Sequence, residues 1–457
     1  MQESWANILS PEARRNFVQQ CWNRKVTIAP LVTFRILFGG LMATAAFRFW
    51  WQGWIDRLFV EPQFYFKLPG FEWVEPLGSM GMHVVFAVLF LSALAVAAGL
   101  YYRWAVLVFG LLFTYVELID LTNYLNHYYL IVLLCFWLLL IPANGAFSLD
   151  VWRKGTAARS QVPVWTINLL VLQLSLVYCF AGFAKLNADW LFRAMPLAVW
   201  LPEHADLPLL GSLLAKPFTA FAFSWAGAFY DLTIPFFLLF RPTRPFAYLA
   251  VVGFHIMTGL LFNIGWFPWI MILFTTLFFS PEWHERLIRT LGWEPSKAEP
   301  VAWRMASGLK PLAIGLMIAQ LLLPWRYLAY PGNVLWHEQG YRFAWRVMLV
   351  EKHGQATFRI EDPKTGRTSV VENRRFLTSF QEKQMAIQPD FIVQFARRLD
   401  AYYQEYYHIE DPIVRVDSYV ALNGRPSQRF IDPTVDLSTV ELDWKHKTWV
   451  LPFKETP

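Results

Sequence analysis

The strongest constraint on this chain is a series of long apolar runs within its first 325 residues. Most of these runs hold 17 to 24 residues, which is enough for a helix to cross the apolar core of a bilayer, about 30 Å thick. The runs lie at residues 29–50, 83–102, 104–120, 124–141, 164–185, 217–240, 246–262, 266–281 and 311–325. The pattern predicts an all-α polytopic membrane helix bundle over residues 1–325, with about nine transmembrane helices.

The composition supports a membrane protein. Hydrophobic residues make up 56% of the chain and charged residues only 16%, whereas a soluble domain carries about 25% charged residues. The net charge of +6 is spread over the connections between apolar runs, so we expect no nucleic-acid partner. The first ~25 residues are polar, so we expect the first helix, rather than a cleaved signal peptide, to bring the chain to the membrane.

Cysteine usage does not indicate a metal site or a disulfide framework. The three cysteines are Cys21, Cys135 and Cys179, and no pair of them has the spacing of a zinc site. Two of them lie inside apolar runs, where packing is the simplest interpretation of a cysteine. We therefore predict no metal.

The basic residues predict how the chain is oriented in the membrane. If the N-terminus is cytoplasmic, the inner segments hold fifteen Lys and Arg residues and the outer loops hold four. The inner residues are Arg14, Arg15, Arg24, Lys25, Arg103, Arg153, Lys154, Arg159, Arg241, Arg244, Arg286, Arg289, Lys297, Arg304 and Lys310, and the outer ones are Arg57, Lys67, Arg193 and Lys216. Because basic residues concentrate on the cytoplasmic side, nine crossings put the C-terminus outside the cytoplasm.

Residues 326–457 are more polar and predict an extracytoplasmic, β-rich α+β domain. Residues 357–360 and 368–371 flank the turn sequence DPKTG, and residues 419–422 and 429–431 flank a turn that contains Asn-Gly, so both pairs are candidate hairpins. Apolar residues recur at helical spacing in residues 391–407, which predicts a helix there.

Polar and ionisable residues inside the predicted spans mark a candidate functional site, because such groups are costly in a bilayer. Lys185 lies at the outer end of span five, Asn126 and His127 open span four, and His255 lies past the middle of span seven. All four are in the outer half of the predicted membrane region. They predict a polar cavity that opens toward the C-terminal domain.

Each of these residues also has a simpler structural interpretation. Lys185 could extend to the outer interface beside Trp190 without any chemical role. His127 could hydrogen-bond at a helix end, and His255 could join two helices by a hydrogen bond. For Arg35 and Asp231, in spans one and six, we expect a buried structural ion pair.

Six short motifs indicate a family. They are FAGFAKLNADW at 180–190, NHYYL at 126–130, FHIM at 254–257, SPEW at 280–283, GYRFAWRVM at 340–348 and RFIDP at 429–433. Taken together and in this order, they resemble the vitamin K-dependent γ-glutamyl carboxylase family over nearly the whole chain. The chain is similar to a short, bacterial-type member.

The resemblance implies an activity and a set of roles. The family couples oxidation of reduced vitamin K, a naphthohydroquinone, by O₂ to the epoxide with the carboxylation of peptide glutamate by CO₂. It uses neither metal nor biotin as a cofactor. The implied roles are catalysis for Lys185 and His127, quinol binding for Asn126 and His255, and glutamate-substrate binding for Tyr341 and Trp345. The implied partners are a Glu-containing peptide and the membrane lipid from which a menaquinol-like quinol arrives.

The environment of Lys185 decides whether it can act as the base. A lysine must be uncharged to accept a proton, and desolvation at a membrane helix end favours the uncharged form. Asp189 lies four residues later and shares the helix face if the helix continues. A close ion pair with Asp189 would favour the charged form and oppose this role.

Other functions remain open on the sequence. A quinol epoxidase that carboxylates nothing would use the same lysine. A non-catalytic quinone- or lipid-binding membrane protein would not need it. A transporter is disfavoured, because the chain has no inverted repeat and no pair of broken helices.

Overall fold

The computed structural model describes residues 24–155, 158–208, 210–262, 264–292 and 305–455. Cys21, and four of the basic residues used to predict the orientation, lie outside these ranges. Those four are Arg14, Arg15, Lys297 and Arg304.

Nine apolar helices occupy the positions of the nine predicted spans. They are α1 Ala29–Trp51, α2 Gly78–Ala98, α3 Tyr102–Ile119, α4 Asn126–Leu140, α5 Trp165–Lys185, α6 Pro217–Leu239, α7 Arg244–Leu261, α8 Phe267–Thr275 and α9 Leu309–Leu322. In the described part of the chain, seven helices are long and apolar enough to cross a membrane, with α9 continuing as a 3₁₀ helix to Ala329. The predicted polytopic membrane helix bundle is confirmed.

The helices α4 and α8 are shorter than a full span. α4 has 15 residues, about 22 Å at the helical rise of 1.5 Å per residue. α8 has nine residues and runs into a 3₁₀ turn, Thr276–Phe278. Both are apolar, so the structure places nine apolar helices in order but gives full spanning length to seven.

Short elements connect the long helices. The short α-helices are Trp54–Phe59, Leu149–Lys154, Ala188–Arg193, Leu197–Trp200, Gly211–Leu214, Pro281–Arg289 and Val334–His337, and the 3₁₀ helices are Leu121–Asn123, Pro202–His204, Thr276–Phe278, Leu323–Ala329 and Asn373–Arg375. Strands β1 Lys25–Thr27 and β2 Gln161–Pro163 pair antiparallel just before α1 and α5. This pairing brings the beginnings of those two helices together.

The centre of the bundle is an aromatic cluster around α1. Phe34 and Phe38 contact Phe274 of α8, with ring centroids 4.9 and 5.9 Å apart, and Phe38 meets Phe109 of α3 at 6.0 Å. These rings are almost fully buried. Because burying large rings contributes heavily to core packing, this cluster holds α1 against α3 and α8.

The expected pair between Arg35 and Asp231 is wrong. The Arg35 guanidinium donates to the carbonyl oxygens of Ala143, Ala146 and Phe147, at 3.1, 3.3 and 2.5 Å. These carbonyls belong to the segment after α4, where backbone acceptors lack helical partners. Arg35 therefore supplies hydrogen bonds to the backbone carbonyls of the turn after α4. Asp231 pairs with a different residue.

The outer domain is built on a four-stranded antiparallel sheet. Its strands are β3 Lys352–Glu361, β4 Thr368–Val370, β5 Ile413–Leu422 and β6 Gln428–Arg429, in the order β4-β3-β5-β6. Both predicted hairpins are confirmed, since β3 pairs with β4 and β5 pairs with β6. Alternate residues of β5 are buried, as a strand with one face on a core requires.

Two helices cover the buried face of this sheet. They are α10 Ser379–Ile387 and α11 Pro389–Tyr407, and α11 confirms the helix predicted at 391–407. Thr378 and Gln381 form a capping box that starts α10. Phe391, Phe395 and Leu399 of α11 are fully buried in the domain core.

Side-chain hydrogen bonds join the outer domain to the bundle at one end. The backbone of Lys67 exchanges two bonds with Gln394, at 2.8 and 3.0 Å, and Gln381 donates to Asp120 at 2.8 Å. Lys67 follows α1 and Asp120 follows α3, and these are the ends that the sequence places outside. The outer domain therefore caps the predicted outer end of the bundle, whereas the assignment of the other end to the cytoplasm stays a prediction.

Candidate functional site

A cavity of about 290 Å³ lies between the outer halves of α5, α6, α7 and α8, beneath the outer domain. We call it the Lys185 cavity. Its walls are formed by Val177, Tyr178, Ala181, Lys185, Trp190, Leu197, Phe223, Ala226, Gly227, Tyr230, Asp231, Phe254, His255, Met257, Thr258, Phe262, Ile264, Phe267, Met271, Val347 and Met348. The walls are mostly apolar and aromatic, with a few polar groups directed inward, as is typical of small-molecule sites.

Lys185 is the cation of this cavity. It is 5% exposed, and its Nζ lies 2.7 Å from Oδ2 of Asp231 on α6. The same nitrogen lies 5.1 Å from the centre of the Trp190 ring. Lys185 does not extend to the membrane interface, so the snorkelling interpretation is wrong.

A close approach of two helices brings Lys185 and Asp231 together. A Cβ at Gly182 of α5 would lie 2.8 Å from the backbone nitrogen of Leu232, so α6 packs where only glycine fits. Gly182 is three residues before Lys185, and Leu232 follows Asp231. The contact therefore sets the two charged side chains at the same level.

The start of α6 projects beyond the end of α5. Trp190, which follows α5, donates through Nε1 to the carbonyl oxygen of Ser224 at 2.7 Å, and the Ser224 hydroxyl donates to the carbonyl oxygen of Trp190. The first two turns of α6 thus contact segments outside the bundle. This offset explains why Asp231, deep within the sequence of α6, meets a lysine at the outer end of α5.

His255 lies in the same cavity and is 1% exposed. Its Nε2 is 3.2 Å from the Tyr178 hydroxyl, which is also 3.4 Å from Oγ1 of Thr275. The interpretation of His255 as an interhelical hydrogen-bonding residue is therefore confirmed. Its Nδ1 has no hydrogen-bond partner among the described residues, so one ring nitrogen is left for a bound molecule.

His127 lines a second, smaller cavity of about 50 Å³, which we call the His127 cavity. Glu117 and Tyr128 also line it. The ring of Phe267 separates the two cavities, with its centroid 5.7 Å from that of His127 and 5.6 Å from that of His255. The structure thus brings Lys185 and His255 together but places His127 on the other side of Phe267.

The remaining predicted residues, Asn126, Tyr341 and Trp345, either contact the segment 340–348 of the outer domain or belong to it. Asn126 accepts a hydrogen bond from the Tyr124 hydroxyl at 3.2 Å and donates to the carbonyl oxygen of Arg346 at 3.0 Å. Trp345 is 1% exposed and stacks on Tyr129 at 5.1 Å. Tyr341 packs against the outer-domain core. None of Asn126, Tyr341 and Trp345 lines the Lys185 cavity.

The segment 340–348 closes the cavity from outside through Val347 and Met348. Its backbone is strained, because Phe343, Trp345 and Met348 have φ angles of 59°, 55° and 57°, where non-glycine residues are rare. Sparse conformations of this kind persist only where the surroundings enforce them, and they cluster at functional sites. Burial of Trp345 in the bundle supplies this constraint.

Sequence reasoning missed Asp231, Tyr178 and Tyr230 among the polar residues of the cavity. Asp231 was assigned to Arg35, and the hydroxyl-bearing Tyr178 and Tyr230 were not singled out. Tyr178 lies seven residues before Lys185 and Tyr230 directly precedes Asp231. A helix returns to the same face after seven residues, so the spacing of Tyr178 and Lys185 is a signal that could have found Tyr178.

Comparison with known proteins gives two family matches that together cover most of the chain. The HTTM domain family matches residues 23–283, and the lumenal domain of vitamin K-dependent gamma-carboxylase matches residues 309–456. No solved structure matches the chain. The first match covers the whole Lys185 cavity except Val347 and Met348, which fall within the second. The two matches in this order show that the chain belongs to the vitamin K-dependent gamma-carboxylase family.

Proposed function

We propose that this protein couples oxidation of a naphthohydroquinone by O₂ to the epoxide with carboxylation of glutamate in a peptide, and that the Lys185 cavity is where the quinol binds. One observation carries this proposal. A buried lysine and a buried carboxylate, 2.7 Å apart, face an aromatic cavity together with a histidine that has a free ring nitrogen.

The residues of the cavity suit a quinol. Its volume of about 290 Å³ is near the lower end of ligand pockets, about 300–1,000 Å³, which suits a bicyclic ring whose isoprenoid tail stays in the lipid. Tyr230 and Phe254 stack at 4.1 Å and form one wall, against which a flat ring can pack. The unpartnered Nδ1 of His255 supplies a hydrogen bond for a hydroxyl. The quinol, when bound, supplies the reducing equivalents that react with O₂.

Lys185 and Asp231 form a proton-accepting couple. In an apolar cavity the pair of ammonium and carboxylate loses its hydration, so the uncharged pair of amine and carboxylic acid becomes competitive. In that form the Lys185 amine accepts a proton from a hydroxyl and Asp231 keeps its own. The product is an ammonium next to the oxygen that lost the proton, and it stabilises that negative charge without solvent.

The surroundings of the cavity provide two separate routes of access. On the side of α6 and α7, Ala226 is exposed and Phe223 and Met257 are half-buried, so a quinol can enter sideways from the lipid. On the outer side, Val347 and Met348 separate the cavity from the outer domain. A peptide would approach from there, where the segment 340–348 carries Tyr341 and Trp345.

The roles of the other predicted residues follow from this arrangement. His127 would act from behind Phe267, and Asn126 would hold the segment 340–348 through the carbonyl of Arg346. Binding of quinol by Asn126, and of glutamate by Tyr341 and Trp345, stay predictions. We also propose that the outer domain is extracytoplasmic, with the N-terminus in the cytoplasm.

A quinol epoxidase without glutamate carboxylation is the second candidate. The distance between the residues predicted to handle the quinol and those predicted to handle the peptide favours this candidate. Lys185 and His255, which would handle the quinol, share one cavity, whereas His127, Tyr341 and Trp345 lie outside it. On that proposal the peptide half of the reaction is absent.

An assay with labelled bicarbonate distinguishes the candidates. Purified protein in detergent receives reduced naphthoquinone, O₂ and a Glu-containing peptide, and both the epoxide and peptide-bound label are measured. Carboxylation predicts epoxide and label together. Epoxide without label selects the epoxidase, and quinol binding without epoxide selects a non-catalytic quinone-binding protein.

Replacement of the lysine tests the mechanism itself. Lys185→Ala should lower epoxide formation by about 10²–10⁴-fold, the usual contribution of a general base, while the thermal unfolding midpoint shows that the fold is kept. Lys383→Ala, at an exposed lysine of the outer domain, is the matched control. Unchanged turnover in Lys185→Ala would remove this residue from the reaction.

A further inference from the structure

A third pocket, of about 180 Å³, lies on the other side of the segment that closes the Lys185 cavity. We call it the outer pocket. It is formed at the outer ends of α5 and α9 by Phe183, Asn187, Trp325, Tyr327, Asn333 and Arg346, among others. Arg346 lines the outer pocket while its neighbours Val347 and Met348 line the Lys185 cavity. One short segment therefore forms a wall of both.

Arg346 is buried and has no carboxylate partner in the part of the chain that the structure describes. The residue is 6% exposed, and its guanidinium lies 4.1 Å from the centre of the Tyr327 ring. Its Nε has no hydrogen-bond partner among the described residues. Burial also lowers the pKa of Arg346 from its usual value. A buried charge of this kind is unfavourable unless a counter-charge meets it.

The acids of the outer pocket are already engaged. Asp189 is bound by two nitrogens of Arg425, one of them at 2.9 Å. Glu455 lies 3.4 Å from Arg193 and 3.2 Å from Arg425. Of the charges around the outer pocket, Arg346 is thus the one left uncompensated in the described chain, and the pocket keeps one net positive charge.

The membrane-facing side of the outer pocket is apolar and open. Phe183, Leu186 and Trp325 are 45%, 51% and 42% exposed. The Trp325 ring packs on Phe180 and Phe183, with centroids 5.8 and 5.7 Å apart. The span that begins at Leu309 is little covered by the rest of the protein, with 11% of its apolar window buried. The outer pocket therefore opens toward lipid at the outer ends of α5 and α9, with aromatic residues there as at a membrane interface.

We propose that the outer pocket binds the phosphate of a membrane phospholipid through Arg346, with an acyl chain lying against the exposed Phe183, Leu186 and Trp325. A guanidinium offers paired N–H donors that match phosphate oxygens. The exposed apolar lining of the pocket matches an acyl chain. A peptide carboxylate or a free anion has no acyl chain, so neither would cover this surface. A single amphiphile thus satisfies both the buried charge and the exposed aromatic surface.

Binding of short-chain lipids tests the proposal. Native mass spectrometry and thermal unfolding are applied to the full chain in dodecyl maltoside, with dihexanoyl-phosphatidylglycerol as the probe. Three further compounds separate the possible sources of affinity: dihexanoylglycerol has the chains without phosphate, inorganic phosphate has no chains, and a Glu-containing peptide supplies carboxylates. We expect the phosphatidylglycerol to bind at least about tenfold more tightly than each of these, because dihexanoylglycerol lacks the phosphate that pairs with Arg346, and inorganic phosphate and the peptide lack the acyl chains.

Variants locate the site. Arg346→Gln should weaken binding of the phosphatidylglycerol by about tenfold or more, and Arg346→Lys should keep most of it. Arg375→Gln, at an exposed arginine of the outer domain, should not change it. If Arg346→Gln does not fold, the comparison of phosphatidylglycerol with dihexanoylglycerol in the unmodified protein still decides whether phosphate is recognised.

Four results would overturn the proposal. Equal binding of dihexanoylglycerol would show that phosphate is not recognised. Equal binding of inorganic phosphate would indicate a site for a free anion. Displacement of the phosphatidylglycerol by the peptide would assign the outer pocket to the peptide substrate. Full binding by folded Arg346→Gln would place the lipid elsewhere.

Discussion

Asp231 pairs with Lys185, Asp189 follows that lysine by four residues, and the surroundings of the two carboxylates differ although both are 6% exposed. Asp189 accepts hydrogen bonds from Arg425 and from Nδ2 of Asn423, so the outer domain holds it from several sides. Burial alone would raise the pKa of Asp189, but the hydrogen bonds from Arg425 and Asn423 hold it below the usual value. Asp231 has Lys185 as its one hydrogen-bonding side chain among the described residues, and otherwise faces an open cavity.

The difference separates a structural charge from one that is available for chemistry. A carboxylate whose oxygens are all engaged in hydrogen bonds cannot change its protonation without losing those bonds. A carboxylate with one partner and free space can exchange a proton, and perturbed pairs of this kind cluster at active sites. Asp189 therefore joins the outer domain to the end of α5, and Asp231 belongs to the proposed reaction. The same Asp→Asn substitution at the two positions should have opposite consequences.

The largest effect is expected for Asp189→Asn. The asparagine keeps the shape but leaves the Arg425 guanidinium without its main counter-charge, and breaking a buried pair costs about 3–5 kcal/mol. Because Glu455 still contacts Arg425, we expect a loss near the lower end, about 3 kcal/mol in the free energy of unfolding. Thermal and denaturant unfolding in detergent measure it.

The control for Asp189→Asn is Asp206→Asn, at an exposed aspartate in the same outer connection. A surface change of this kind should stay within about 0.5 kcal/mol. Equal stability of Asp189→Asn and the unmodified protein would mean that the contact between Asp189 and Arg425 does not hold the two parts together.

The sequence predicts the elements around these two carboxylates better than it predicts their partners. Long apolar runs located the nine helices, turn sequences located both hairpins, and apolar periodicity located α11, because all of these depend on local patterns. The sequence also grouped Lys185 with His255 correctly, from their depth in the predicted spans. Depth failed for Asp231, because the first turns of α6 lie outside the bundle, and a residue far along α6 is level with the end of α5.

Long-range pairing and small separations within the site could not be predicted. Arg425 follows Asp189 by 236 residues, and no local pattern links them. His127 and His255 have similar predicted depths, but the ring of Phe267 keeps them in different cavities. The position of a side chain relative to a neighbouring ring depends on how the helices rotate and pack. A hydrophobic pattern does not specify rotation or packing to within the width of one ring.

The helix contact that sets Lys185 opposite Asp231 gives the second prediction. Gly182→Ala places a Cβ 2.8 Å from the backbone of Leu232, so α5 and α6 must separate, and such overpacking costs about 1–3 kcal/mol. Gly253→Ala is the matched control, because a Cβ at this glycine of α7 meets nothing within 4 Å. We expect a lower unfolding midpoint for Gly182→Ala alone. Equal midpoints in both variants would show that α6 adjusts freely, and the Lys185–Asp231 geometry would then not be fixed by packing.

The third prediction concerns a closed site in the outer domain. His337 is 4% exposed, and burial, together with repulsion from Lys447, His446 and Lys352, lowers its pKa to about 4. An unfolded histidine titrates near 6.5. The unfolded chain therefore binds the proton more readily, and the stability contributed by neutral His337 is complete above about pH 6.5 and is lost as the pH falls toward 4.

At pH 5 this loss amounts to about 2 kcal/mol relative to pH 8. Unfolding midpoints from pH 8 to pH 5 measure it, and His337→Gln should flatten the dependence. His408→Asn is the control, since His408 is exposed at the end of α11, and it should leave the slope unchanged. An equally steep slope in His337→Gln would assign the pH dependence to other groups.

The smallest effect is expected for Asp231→Asn, and it is the most informative about the cavity. If Lys185 accepts the proton while Asp231 stays protonated, a neutral asparagine reproduces the working form of the pair. Turnover should then stay within about tenfold of the unmodified protein, about 1.4 kcal/mol in activation free energy, in contrast to Lys185→Ala. Asp231→Ala should lose more than Asp231→Asn, because it also removes the group that holds Nζ at 2.7 Å.

Epoxide formation by the three variants, compared at equal amounts of folded protein, decides between two mechanisms. A loss in Asp231→Asn as large as in Lys185→Ala would show that the negative charge of Asp231 is required, so the carboxylate itself would take the proton and Lys185 would supply only its positive charge. A small loss assigns the proton to the amine. Either way, the cavity would contrast with the interface at Asp189, where the same substitution acts on folding, because Arg425 and Asn423 hold that carboxylate while Lys185 alone among the described residues holds Asp231.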